Sequence, residues 1–129
     1  TDAFIEVKAK TLEEAFSVAG KSVVDTIIDL KNIQEIEEKN INVKGRNLLN
    51  LLYNWLEEIV TITITDGFAI RNFSVNIKKN KEYQIASKVS GEKLDLKKHN
   101  FKVEIKSPTF HLMEINENDE ITMRYLLDL

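Results

Sequence analysis

The sequence contains no cysteine, which excludes disulfide bonds, thiolate zinc sites and cysteine nucleophiles together. Because a chain without cysteine also suits a reducing compartment, we expect a cytoplasmic protein. The chain has only one proline and four glycines, and no Pro- or Gly-rich stretch separates one part of it from another. We therefore expect a single domain over residues 1–129.

Long hydrophobic runs and an excess of positive charge are also missing. No apolar run approaches the ~20 residues that a membrane-spanning helix needs, and no charged leader precedes an apolar stretch. We therefore expect no membrane partner. The sequence has no initiator Met and begins at Thr1, directly before a predicted strand, so we expect a few upstream residues to be missing from the sequence. The net charge of −3 offers no basic excess for strong nonspecific binding of nucleic acid.

Motifs of self-sufficient catalysis are absent as well. The sequence has no Gly-rich phosphate loop, no nucleophile elbow and no His-Glu-x-x-His helix. The two histidines are His99 and His111, on different predicted elements. Either imidazole could act as a general base near neutral pH, but neither has a nucleophile or metal partner placed beside it in the sequence. We expect a protein that is not itself an enzyme.

Hydrophobic periodicity predicts an α+β fold, a single domain with a largely antiparallel β-sheet packed with two α-helices. Thr11 and Glu14 form a capping box at the start of the first helix. Gly20 within that helix suggests close packing against a neighbour, and Trp55 is expected in the core. The predicted order is β-α-β-α followed by a run of strands. The predicted helices are residues 11–29 and 47–60, and the predicted strands are residues 2–10, 33–45, 68–78, 83–90, 101–106, 110–115 and 121–127. Residues 61–65 could extend the second helix or begin a strand.

The two ends of the chain carry the most informative residues. Asp2 opens the first predicted strand, and the last predicted strand leads into Asp128 and the carboxylate of Leu129. If these strands pair, three anionic oxygen donors converge, and like charges at close range require a cation or proton to compensate them. Calcium and other hard divalent cations prefer such oxygen ligands. The alternative is that the ends are solvated and far apart.

A second group of charges is the basic cluster between Lys78 and Lys106, which contains nine lysines. Acidic residues, among them Glu82, Glu92 and Glu104, are interleaved with them. The cluster is mainly interpreted as solvated strand faces and turns, and direct contact with RNA is the alternative.

Several motifs in order along the chain resemble those of the archease family. Thr1-Asp2 and Thr11-Leu12-Glu13-Glu14-Ala15-Phe16 resemble its N-terminal motif and helix start. Residues 48–58 resemble its Leu-Leu-x-x-Trp-Leu-x-Glu segment, and Gly91-Glu92 with His99 matches its Gly-Glu…His stretch. Residues 103–111 resemble its Glu-Val-Lys-Ala-x-Thr-Tyr-His strand, with Ser107-Pro108 as a departure. The closing Leu127-Asp128-Leu129 resembles its Ile-Asp-Ile.

This resemblance implies a function and a set of site residues. Archease-like proteins promote guanylylation of a GTP-dependent tRNA-splicing ligase and allow it repeated turnover. The family's metal site corresponds to Asp2, Asp128 and Leu129 here, which favours a calcium-like centre, and we predict that the first and last strands lie side by side. Lys106 corresponds to the lysine of the family's strand motif and is a candidate for partner function. Two alternatives remain: a chaperone-like modulator of a tRNA cytosine methyltransferase, and a metal-dependent hydrolase using Asp2, Asp128 and a histidine.

Overall fold

The computed structural model describes all residues, 1–129, as two α-helices and six β-strands. The helices are α1 (Leu12–Ile27) and α2 (Leu48–Val60). The strands are β1 (Asp2–Ala9), β2 (Glu37–Gly45), β3 (Phe68–Lys79), β4 (Tyr83–Lys93), β5 (Ser107–Glu117) and β6 (Ile121–Asp128). A short 3-10 turn, Leu30–Asn32, precedes β2, and a π-helical turn, Thr61–Thr65, extends α2. Neither helix is long and apolar enough to cross a membrane.

The strands form two antiparallel sheets of three, in the orders β1-β6-β5 and β2-β4-β3. This confirms the predicted α+β fold. Both sheets and both helices contribute to one hydrophobic core of 31 buried residues. The first and last strands of the chain are neighbours in the first sheet, so the fold brings the two ends of the sequence together.

The helices pack as their sequences predict. The Thr11 hydroxyl accepts a hydrogen bond from the Glu14 amide at 3.1 Å and caps α1. A Cβ atom added to Gly20 would lie 2.8 Å from the ring of Phe73, which confirms the close packing expected there. Trp55 is fully buried between the rings of Phe16 and Phe73, and its indole nitrogen donates to the Phe16 carbonyl at 2.9 Å.

Two predicted strand segments are wrong. Residues 101–106 form no strand, because the connection between β4 and β5 is held by α1 instead of by a sheet. The Lys102 amide donates to the Ile27 carbonyl at 2.8 Å, and Asn100 adopts a positive φ of 55° that interrupts extended backbone. Residues 33–36 also lie outside β2. There the Gln34 amide donates to the carboxylate of Glu92 at 2.7 Å, so it is not available for a strand ladder.

Candidate metal centre

The pairing of β1 with β6 places Asp2 directly opposite Asp128, which confirms the prediction that the first and last strands lie side by side. Directly opposed Cα atoms in an antiparallel pair are ~4.5–5.5 Å apart, and their side chains project from the same face. Ser107 of β5 is opposite Asp128 on its other side. Asp2, Asp128 and Ser107 therefore form one row across the sheet.

This row lies on the outer face of the sheet. Leu127 and Tyr125, which alternate with Asp128 along β6, are fully buried in the core. Because successive side chains of a strand point to opposite faces, Asp128 points away from the core. Asp128 is half-buried and Asp2 is exposed, so both carboxylates are open to solvent.

Main-chain hydrogen bonds fix the residues on both sides of Asp128. The Leu129 amide donates to the Thr1 carbonyl at 3.2 Å, which holds Leu129 beside the start of β1. The Lys106 amide donates to the Asp128 carbonyl at 2.8 Å, and the Lys106 side chain is exposed. The fold therefore gathers all four residues proposed from the sequence, Asp2, Asp128, Leu129 and Lys106, at one end of the sheet.

A surface depression of about 630 Å³ adjoins the carboxylate row. Its lining includes both aspartates, Ser107, Thr109 and His111. The side chain of His111 is exposed, and its amide donates to the Thr109 hydroxyl at 3.1 Å. His111 is thus the histidine that the fold places beside the candidate metal ligands.

The residues present fit a hard divalent cation. Two side-chain carboxylates and a main-chain oxygen of Leu129 form an all-oxygen donor set of the kind that Ca²⁺ binds. The structure contains no group of three or more His, Cys, Asp or Glu side chains that could hold a metal ion. Because Ca²⁺ takes six to eight oxygen ligands, these three residues would supply only part of its coordination.

Two aromatic side chains, those of Tyr53 and Phe110, line the depression. The rings of Tyr53 and Phe110 stack at 4.3 Å between centroids, with an angle of 9° between their planes. Phe4 and Leu112 are 56% and 62% exposed. The β5 strand has a bulge between Thr109 and Glu114, within which Leu112 adopts a φ of 60°. We call Phe4, Phe110 and Leu112 the apolar rim.

An ionic network lies two rows from the carboxylate pair. Arg124 of β6 forms ion pairs with Glu6 of β1 and with Glu114 of β5. The hydrogen bond from Arg124 holds the pKa of the Glu6 carboxyl below its usual range, and both carboxylates raise the pKa of Arg124. These groups are exposed, so salt screens the network and it contributes little to stability. The network links one side chain from each of the three strands β1, β6 and β5.

The other histidine, His99, is fully buried and belongs to a separate polar cluster. Its Nδ1 atom accepts a hydrogen bond from the Asp95 amide at 3.0 Å, so the ring proton is on Nε2, which donates to Glu92 Oε2 at 2.9 Å. The other oxygen of Glu92 accepts from Lys98 at 2.8 Å. The sequence offered His99 as a candidate base, but here it anchors the β4–β5 connection and does not reach solvent.

Glu92 is expected to make the protein sensitive to acid. Hydrogen bonds from the Gln34 amide, Lys98 and His99 lower the pKa of Glu92 to about 2. A carboxyl whose pKa is lower in the folded state stabilises the fold above its unfolded pKa of ~4.3 and loses that contribution as pH falls towards 2. Glu92→Gln should therefore flatten the fall in the free energy of unfolding between pH 4.5 and 2, measured by urea titration. An unchanged acid limb would contradict this assignment.

The protein is a small α+β domain of two antiparallel sheets and two helices. Its polar site is the carboxylate pair on the open sheet face where the first and last strands meet. The model of the Archease protein family matches residues 1–129. The chain is 39% identical to the protein archease of Pyrococcus abyssi over 108 residues, 83% of this chain and 76% of that protein. It is 33% identical to the protein archease of Pyrobaculum islandicum over 131 residues, 99% of this chain and 89% of that protein. The chain belongs to the archease family.

Solved structures agree with this fold. Protein 1598 of Methanobacterium thermoautotrophicum, determined in solution, has 29% sequence identity and a TM-score of 0.80, over 99% of this chain and 92% of that chain. An archease of Thermotoga maritima, described as a possible chaperone, has a TM-score of 0.65 at 17% identity, over 98% of this chain and 90% of that chain. The Thermotoga protein supports the fold alone.

Proposed function

We propose that this protein is an accessory factor that promotes guanylylation of a GTP-dependent tRNA-splicing ligase and allows the ligase repeated turnover, without being an enzyme itself. Asp2, Asp128 and Leu129 would hold a divalent cation that the accessory role requires, and Ca²⁺ is the first cation to test. Family membership supports the accessory role, and the resemblance of the sequence motifs to archease supports these residues.

The observation that carries the proposal is the opposition of Asp2 and Asp128 on an open surface. Two carboxylates at this range repel each other unless a cation compensates them. The seven ion pairs of the structure use other carboxylates, so no side-chain cation already neutralises this pair. Because the pairing of β1 with β6 holds the two carboxylates side by side at the surface, this site is well suited to bind a divalent cation.

The apolar rim supports a protein partner at the same site. Exposed aromatic and aliphatic side chains are the usual anchors of protein interfaces. Phe110 is 51% exposed and already stacked on Tyr53, so its ring loses little conformational freedom on docking. A docked ligase would therefore bury the rim and face the carboxylate pair.

Reconstitution with RNA ends suited to a splicing ligase tests this function. Three reactions are compared: the ligase alone, this protein alone, and both together, each with calcium. The proposal expects little product from the ligase alone, none from this protein alone, and several ligated products per ligase from the mixture. Hydrolysis of a terminal cyclic phosphate by this protein alone would instead support the metal-dependent hydrolase, with His111 as its base.

Lys106→Ala is expected to weaken stimulation of the ligase while leaving the fold and cation binding intact. Lys106 is exposed and its amide donates to the Asp128 carbonyl, so its main chain lies beside the site and its side chain does not contribute to the core. Stimulation is measured as ligated product per ligase, with Lys10→Ala as the matched control at an exposed lysine outside the site. Unchanged stimulation by Lys106→Ala would remove this residue from the function.

A chaperone-like modulator of a tRNA cytosine methyltransferase is the second candidate function. The apolar rim favours it, because exposed hydrophobic side chains can cover apolar surface of an unstable partner. Light scattering by a heated methyltransferase, with and without this protein, separates the candidates. If the protein suppresses the light scattering, and Phe110→Ser loses this suppression while Asp128→Asn keeps it, the chaperone-like function is favoured.

A further inference from the structure

The outer face of the β2-β4-β3 sheet is polar and basic. Alternate residues of the three strands, such as Ile41, Val43 and Ile85, are buried in the core, so the residues between them face outward. Eight of the nine outward residues are exposed, and Gln84 is half-buried. We call these nine residues the polar face, in three cross-strand rows: Lys44–Gln84–Lys78, Asn42–Ala86–Asn76 and Asn40–Lys88–Ser74.

The charge of the polar face is opposite in sign to that of the whole protein. The chain has a net charge of −3, yet the three rows contain three lysines and no carboxylate. Carboxylates border the face on two sides: Glu38 lies in the next row towards the start of β2, the Glu35 carboxylate accepts a hydrogen bond from Ser90 of that row, and Glu82 directly precedes β4. None of the seven ion pairs involves Lys44, Lys78 or Lys88. Their ammonium groups are therefore free to meet an external anion.

The polar face is also concave. Two depressions of about 510 and 500 Å³ adjoin along it, and both are lined by Asn42, Asn76 and Ala86. Ala86 gives a low floor in the central strand, with longer side chains in the strands on either side. From Gln84 to Lys88 the trough runs ~13 Å along β4, and its flanking strands are ~9.5 Å apart.

We propose that the polar face binds the sugar–phosphate backbone of single-stranded RNA. Lysines neutralise phosphates, and Asn, Gln and Ser side chains donate hydrogen bonds to phosphate and sugar oxygens. The five neutral polar groups both donate and accept, which matches the 2′-hydroxyl that distinguishes RNA from DNA. No aromatic ring is among the nine residues, so the face contacts the backbone without stacking on bases, and sequence preference is weak.

A protein ligand matches the polar face less well. Stable protein interfaces are centred on buried aromatic or aliphatic anchors and are depleted in lysine. The only apolar side chain among the nine is the methyl group of Ala86. The exposed aromatic and large aliphatic side chains, among them Phe4, Phe110 and Leu112 of the apolar rim, all lie outside the nine residues. RNA binding by the polar face is therefore an activity beyond the proposed function, and it does not require the cation.

Fluorescence anisotropy of a labelled oligouridylate of about 12 nucleotides, within the range of single-strand site sizes, tests this surface. The intact protein is titrated in the presence of a chelator, so that Asp2 and Asp128 hold no metal. The triple variant Lys44→Ala, Lys78→Ala, Lys88→Ala should lose at least tenfold in affinity at low salt. The slope of log K against log salt should fall in magnitude by about 2, since each phosphate contact on a single strand contributes about 0.7.

A triple variant at Lys10, Lys31 and Lys97, each to Ala, is the matched control, because these lysines are exposed, lie outside the polar face and change the net charge equally. It should retain wild-type affinity. Ala86→Glu, which puts a carboxylate on the floor of the trough, should weaken binding as the first triple does. Equal losses in both triples, no binding by the wild-type protein, or equal or tighter binding of oligodeoxythymidylate or polyglutamate would overturn the proposal.

Discussion

Asp128→Asn is expected to reduce the affinity of the protein for Ca²⁺ by more than about 100-fold. Loss of a residue that only supports a metal ligand typically costs ~10–100-fold, and loss of a direct anionic ligand costs more. The side chains supply only two carboxylates at this site, those of Asp2 and Asp128, so the substitution removes half of their charge. Isothermal titration calorimetry with CaCl₂ measures the change.

The melting temperature without metal separates a metal ligand from a structural residue. In the absence of a cation the two carboxylates repel each other, so Asp128→Asn should leave the melting temperature of the metal-free protein unchanged or slightly raised. A carboxylate that stabilised the fold would give a lower melting temperature. The matched control is Asp119→Asn in the exposed turn between β5 and β6, which should change neither quantity. Wild-type calcium affinity in Asp128→Asn would contradict the assignment.

Gly91→Ala is expected to destabilise the protein by more than about 3 kcal/mol, at or beyond the upper end of the usual cost of overpacking. A Cβ atom at Gly91 would lie 1.8 Å from the main-chain oxygen of Ala69, so the two strands would have to separate. Gly91 is opposite Ile70 at the point where the β3–β4 register shifts, and its carbonyl accepts from the Ile36 amide at 3.0 Å. Urea denaturation measures the loss.

Gly67→Ala is the matched control for Gly91→Ala. Gly67 has a φ of +67°, and an added Cβ atom would meet nothing within 4 Å. Its substitution therefore costs only the conformational strain of a left-handed residue, ~1–2 kcal/mol. A larger loss from Gly67→Ala than from Gly91→Ala would show that backbone conformation, and not the approach of the two strands, decides these positions.

The sequence was enough to predict the fold class, because the class depends on local patterns, whereas the resemblance to archease was needed to favour the meeting of the chain ends. Alternation over residues 2–10 and 121–127 identifies two strands that each bury one face, and Thr11 caps α1 through the bond from the Glu14 amide, one of the two bonds of the predicted capping box. The packing at Gly20 and Trp55 followed from their residue types. Even so, the register that sets Asp2 against Asp128 became visible only in the structure.

Features that depend on distant contacts could not be predicted in this way. Residues 101–106 alternate like a strand, yet Lys102 bonds to the end of α1, 75 positions earlier at Ile27. The buried bond between Glu92 and His99 joins residues that look solvated in a polar stretch. Because the strand that contains Ser107 was predicted to begin only at residue 110, Ser107 was not expected in the carboxylate row. The bulge in β5, which brings Phe110 onto Tyr53, has no recognisable pattern in the local sequence. A partner remote in sequence decides the position of Lys102 and of Phe110, whereas the bond between Glu92 and His99 depends on how the chain turns over seven positions after β4.

The most direct test of the account is guanylylation of a tRNA-splicing ligase under conditions of repeated turnover. GTP labelled at its α-phosphate is supplied with excess RNA substrate, calcium and either the wild-type protein, Asp128→Asn or Asp119→Asn. Because Asp128 would hold the cation that the accessory role requires, the wild-type protein and Asp119→Asn should restore the labelled ligase after each round, and Asp128→Asn should not. Full stimulation by Asp128→Asn, folded as the wild type by circular dichroism, would contradict the account.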